Sequence, residues 1–266
     1  EAFRSALDKT ILDLPPSQQK LLKQYAETTD ETTKTVQTNA EDGEAVEINV
    51  NSSAFARKGR NEQMSQDDGF NLIKSAAAFA PFYNTLSDDI RNCFDDDLAK
   101  LLLSHSYIDR LTAIDILKGA FKNQKHFQYT IDIILRWSGT QFLKLQVSVA
   151  QAALNLLNEN LVKGVKVSKI ELYFIVPIIL WCVVTKSAAY GDVLEGLKIC
   201  SKPADYAAVL LKCLDFGHSE IISNVFEELG RIEDLSSVES KLKELSRNRL
   251  NIISEPAKSL LLALAP

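Results

Sequence analysis

The chain is poor in residues that break regular structure. Ten glycines and seven prolines stand in 266 residues, about half the usual share. That excludes collagen-like and Gly/Pro-rich low-complexity chains and favours helices with short joints. Aromatic residues make up only 8%, which suits a core of Leu, Ile, Val and Ala in helices better than a β-sandwich. Only four cysteines occur, Cys93, Cys182, Cys200 and Cys213, and no C-x-x-C pair is formed. Cys182 and Cys200 lie in apolar runs, where a thiol acts as a small hydrophobe. The expectation is reduced, buried cysteine in a cytosolic protein. Long apolar runs are lacking too. The longest, 170–184, follows Lys169, carries Glu171 near its start and holds Pro177, and it falls short of the roughly 18 apolar residues a membrane helix needs. It reads as a buried helix, so no membrane partner is expected. The chain starts at Glu1 without a signal-like segment, so it is expected to be a piece of a longer protein.

Motifs that carry bond chemistry are absent as well. There is no phosphate-binding G-x-x-x-x-G-K-[S/T], no G-x-G-x-x-G, no H-E-x-x-H and no G-x-S-x-G. The three histidines, His105, His126 and His218, have no second His or Cys at ligand spacing, so no metal is expected. The run Asp95-Asp96-Asp97 stands where a helix begins, and carboxylates there stabilise the positive end of the helix dipole. Trp137 and Trp181 sit in apolar company and read as core. No enzyme and no cofactor are expected. The formal charge is −5. Residues 1–93 carry 15 acids and 10 bases, whereas 94–266 carry 20 of each. With no basic excess, a nucleic-acid partner is not expected either.

What the chain does have is helical periodicity. Residues 1–26 hold one short amphipathic pattern, with Ser17 as its cap and Leu21, Leu22 and Tyr25 as its stripe. Residues 27–69 are Thr-rich and then acidic, without a period, and read as a strap or tether; with the short helix they make an N-terminal extension, 1–69. Residues 70–93 read as a lead-in helix covering the end of the next domain. From 94 the spacing i, i+3, i+4, i+7 recurs. It predicts helices at 94–103, 107–121, 126–143, 147–158, 168–184, 190–200, 203–214, 219–229, 237–245 and 255–264. Pro203 and Pro256 are placed at helix starts, where a missing N–H costs little, with Ser254 as the last cap. Ten helices in pairs of about 35–40 residues predict an all-α solenoid over 70–266. One pair cannot bury both its apolar sides, so pairs stack, and the joints inside the pairs line up along one edge.

Residues 131–157 read IDIILRWSGTQFLKLQVSVAQAALNLL. This resembles the second repeat of a TOG domain, most closely the C-terminal TOG domain of the ch-TOG-type microtubule polymerases. The matching features are Arg136-Trp137, Phe142, the joint 144–146 and Ser148-Val149. Residues 101–117, LLLSHSYIDRLTAIDIL, resemble the first repeat; 174–180, FIVPIIL, the third; and 224–230, NVFEELG, the fourth. Residues 61–74 are similar to the lead-in of that group. The ordered set spans 61–230, and its divergence would fit a nematode member.

The resemblance implies a flat paddle of five to six HEAT-type pairs that binds αβ-tubulin or microtubules through the joint edge. It implies a role in microtubule growth and spindle assembly, in the cytoplasm at the cytoskeleton, spindle and centrosome. Another spindle or centrosome protein is a further partner it allows. The residues implied are Tyr107 and Arg110 at the first joint, Lys144 and Gln146 at the second and Lys186 at the third. His218 represents the fourth, and Arg247, Asn248 and Arg249 the fifth. Glu220 at the fourth joint departs from the family's basic pattern and implies weaker docking on acidic tubulin. The alternative is a helical-repeat scaffold that binds a non-tubulin protein or has a structural role.

Overall fold

The computed structural model describes residues 65–144, 146–162, 164–183 and 188–264, all within a compact unit spanning 45–266. The expected short helix in 1–26 and nearly all of the strap lie outside the described residues.

Twelve α-helices are formed among the described residues. They are α1 (Asp68–Lys74), α2 (Phe79–Cys93), α3 (Asp96–Leu103), α4 (Tyr107–Ala120), α5 (Gln124–Phe142) and α6 (Val147–Asn160). Then come α7 (Lys169–Val183), α8 (Ala188–Ile199), α9 (Pro203–Cys213), α10 (Ser219–Gly230), α11 (Glu239–Leu245) and α12 (Asn251–Leu264). The fold is an α-solenoid of five pairs, α3/α4 through α11/α12. First helices of the pairs pack on one another (α5 on α7, α7 on α9), and second helices likewise (α4 on α6, α6 on α8, α10 on α12).

Local signals start these helices. Asp95 caps α3, its Oδ1 accepting from the Leu98 N–H at 2.8 Å, so the acidic run is a cap. Ser106 caps α4 through the Asp109 N–H at 3.4 Å. At α7, Ser168 and Glu171 form a reciprocal capping box: the Ser168 N–H donates to Glu171 Oε2 at 2.6 Å and the Glu171 N–H to Ser168 Oγ at 3.4 Å. Pro203 opens α9 as expected.

Three expectations need correction. The last helix begins at Asn251, so Ser254 is a buried residue within it and Pro256 lies in its second turn. Ile253, buried against the core, draws the start back by a turn, and the Asn248 side chain holds that start by accepting from the Leu250 N–H at 2.9 Å. The lead-in starts at Asp68 and is two helices, broken at Ser75, whose backbone is extended (φ −143°, ψ 115°), with a 3₁₀ turn at Ala76–Ala78. It does not cap the end of the solenoid: α1 packs on α7, and α2 on α3 and α5. The contact of α1 is close enough that a Cβ at Gly69 would stand 2.2 Å from the Phe174 carbonyl oxygen.

Trp137 is fully buried, and its indole N–H donates to the Leu102 carbonyl at 2.9 Å, joining α5 to α3. Trp181 is only partly buried. Arg136, beside Trp137, is a buried cation clamped by Asp89 at 2.7 Å and Asp132 at 3.3 Å. All four cysteines are buried thiols outside any disulfide, and burial pushes the Cys93 thiol up to about 12.

Candidate partner-binding edge

Each first helix ends, and each second helix begins, on the same side of the stack. Among the described residues the joints there are 104–106, 143–144 with 146, 214–218 and 246–250; the segment between α7 and α8, 184–187, lies outside the described residues. Side chains lace the first four of these joints together. From α4 the Arg110 guanidinium donates to the Ser104 carbonyl at 2.6 Å and to Gln146 Oε1 across the second joint. Phe142, at the end of α5, meets Tyr190 of α8 edge-on at 5.6 Å. Trp181, at the end of α7, meets His218 edge-on at 5.2 Å and Phe216 at 5.7 Å. Phe216 in turn stacks on Phe70 of α1 at 5.1 Å, so the lead-in reaches the fourth joint. Gly217, at φ +70°, turns the chain there; a residue with a Cβ would be strained.

The expected residues are distributed unevenly on this row. Tyr107 is 46% exposed at the first turn of α4. Gln146 and His218 are exposed, as are Arg247, Asn248 and Arg249. Arg110 is not available at the surface: it is 4% exposed and is spent on holding two joints together. Lys144 is partly buried, with its ammonium over the Tyr83 ring at 5.0 Å. Burial, and then the Arg110 charge, lower its pKa to about 8. Lys186 lies outside the described residues.

Sequence reasoning missed the apolar half of the edge. Ile108 (52% exposed), Val147 (78%), Leu250 (58%) and Ile252 (41%) stand with Tyr107 at the joints. Each opens or flanks a second helix, where an exposed apolar residue looks like part of a stripe; only the fold shows that it is left outside. Trp181 was also missed, because its apolar neighbours in sequence suggested full burial.

Chemically, the row offers apolar points with cations and amides between them and with Glu220 as an exposed acid. Such a composition suits contact with another protein. Among the described residues no cluster of three metal-ligating side chains is present, and no helix is long and apolar enough to cross a membrane.

No family model matches the chain, and no curated protein does. Solved structures do. One is a TOG domain from C. elegans Zyg9, with 17% identity and a TM-score of 0.53, covering 68% of this chain and 74% of that one. Another belongs to work on how TOG–tubulin binding specificity promotes microtubule dynamics and mitotic spindle formation. Its identity is 18% and its TM-score 0.55, covering 66% of this chain and 74% of that one. The chain therefore has the HEAT-repeat solenoid fold of TOG domain structures.

Proposed function

We propose that this chain is a TOG-type domain that binds αβ-tubulin through the joint edge, without catalysing bond chemistry. One observation carries the reading. The first four joints are fastened to one another by Arg110–Gln146, Phe142–Tyr190 and Trp181–His218, and the edge exposes Tyr107, Ile108 and Val147 there and Leu250 and Ile252 at the fifth joint. A rigid line of apolar points rimmed by Arg247 and Arg249 suits a large, flat, acidic partner. The shared fold with TOG domain structures supports the same reading.

Within it, Tyr107 is the anchor, and Lys144, Gln146, Lys186, His218, Arg247, Asn248 and Arg249 are contacts. Arg110 is a positioning residue that sets the first joint against the second. In a longer protein with sister domains, such a module would raise tubulin concentration at a growing microtubule end. That role places it at the cytoskeleton, in spindle assembly. The four sequence stretches that resemble the C-terminal TOG domain of ch-TOG-type proteins support membership of that group, and a nematode source fits their divergence.

Co-elution and a labelled-tubulin titration test the reading. Tubulin should bind at low salt, and Tyr107→Ala should weaken it by about tenfold or more, as loss of an interface anchor does. Absence of binding at tens of micromolar (about 10⁻⁵ M, −7 kcal/mol), or a Tyr107→Ala variant that binds like the parent, would discard it.

A further inference from the structure

Where one pair passes to the next, the joints form a second edge on the far side of the solenoid. They are 121–123, 161–168 and 200–202, followed by 231–238. These joints are fastened to one another as well. The Gln128 amide donates to the Lys166 carbonyl at 3.1 Å and accepts from the Lys166 N–H at 2.7 Å. Gln124 donates to Asn160 at 3.4 Å. The Val167 N–H donates to the Cys200 carbonyl at 2.9 Å, and the Cys200 thiol to the Val162 carbonyl at 3.3 Å.

Lys122, Lys166 and Lys202 are exposed on three consecutive joints of this edge, and Lys125 is exposed in the first turn of α5 beside the first. Among the described residues, none of the four lies within ion-pair reach of a carboxylate. The acids beside them are engaged elsewhere: Glu159 faces Lys118 at 3.9 Å and Glu195 holds Lys198 at 2.6 Å. Asp205, in the first turn of α9, makes no ion pair with Lys202. The lysines are interspersed with exposed apolar side chains, Tyr129 (52%), Val162 (41%) and Ile199 (55%). Over these three joints the edge is basic; the next joint, 231–238, adds Arg231 together with the exposed acids Glu233 and Asp234.

We infer that this rear edge docks an acidic, extended polypeptide segment with apolar residues among its carboxylates. Four exposed ammonium groups without an ion-pair partner, on neighbouring joints, supply the charge complement, and Tyr129, Val162 and Ile199 supply the apolar footing. Helices in such a layer repeat about every 8–10 Å, so three joints span about 20 Å. An extended strand covers that with roughly six residues at about 3.3 Å each. A nucleic acid fits less well. Among the described residues, the three lysine-bearing joints offer no arginine fork and one exposed aromatic, Tyr129, for base stacking, and they belong to a chain of net charge −5.

The test uses the full 266-residue chain and a short fluorescein-labelled peptide of glutamates interrupted by leucines, read by anisotropy. Binding should saturate, weaken as salt rises, and fall about tenfold in Lys122→Glu/Lys166→Glu/Lys202→Glu, the combined effect of three exposed charges. Arg247→Glu/Arg249→Glu, on the other edge, should change it by less than about twofold. The triple glutamine variant, which removes the charge without reversing it, should lose a smaller part of the affinity; circular dichroism confirms that each variant is folded. The inference is overturned if the peptide does not bind, if both edges respond equally, or if oligothymidylate binds more tightly with the same lysine dependence. Tubulin capture is read separately through Tyr107, so the two proposals fail independently.

Discussion

At the scale of single residues, the edge depends on cations that the fold has partly withdrawn from water. Lys144 is the clearest. Its ammonium sits over Tyr83 and near Arg110, and its pKa falls from 10.5 to about 8. The folded chain therefore binds this proton less tightly than the unfolded chain does. Between pH 8 and 10.5 the folded state sheds the proton while the unfolded state keeps it, so stability from this group rises with pH across that window. Lys144→Met removes the group. The urea midpoint of the variant, relative to the parent, should be most favourable near neutral pH and should decline toward the alkaline end of the window. A constant difference would mean that burial does not penalise the charge. Arg110 shows why such residues are hard to read in sequence. The resemblance places it beside Tyr107 on the contact surface. Its real partner, Gln146, is 36 positions away, and no local pattern announces a hydrogen bond that crosses two repeats.

At the scale of elements, local chemistry was legible and long-range packing was not. Asp95, Ser106, Ser168 and Pro203 start helices where cap chemistry says they should, because caps act within a turn. The solenoid class followed from spacing alone, since paired helices of one period have few other ways to bury both sides. Ser254 and Pro256 misled because Ile253 is drawn into the core one turn earlier. The lead-in misled for a related reason: its apolar content implies that it covers something, but not that it covers α7. That docking can be tested at Gly69. Alanine normally gains about 0.5–1 kcal/mol over glycine inside a helix. Here the new Cβ would meet the Phe174 carbonyl at 2.2 Å, a backbone atom that cannot swing aside, so the clash should prevail. Gly69→Ala should lose about 1–3 kcal/mol and speed amide exchange across Asp68–Lys74, leaving α5 protected. Unchanged exchange there would show that α1 is not held by this contact.

At the scale of the whole molecule, the solenoid presents two edges of different composition, and the edge proposed to bind tubulin has its own internal division. Tyr107 stands on the first joint, while Arg247 and Arg249 stand on the fifth. Residues so far apart, with no shared partner, should contribute additively. An exposed charge contributes about 0.2–1 kcal/mol and is screened by salt, whereas an aromatic anchor excludes water and is not. Tubulin titrations with Tyr107→Ala, Arg247→Glu/Arg249→Glu and their combination should therefore give losses that sum to within about 0.5 kcal/mol. Raising ionic strength toward about 0.3 M, where screening shortens to roughly 6 Å, should erase most of the arginine effect and leave the Tyr107 effect standing. If the two changes proved strongly non-additive, the joints could not be acting as fixed, separate points on one rigid edge. If salt abolished the Tyr107 effect, the anchor would be working through charge steering, and the apolar row could not be what grips the partner.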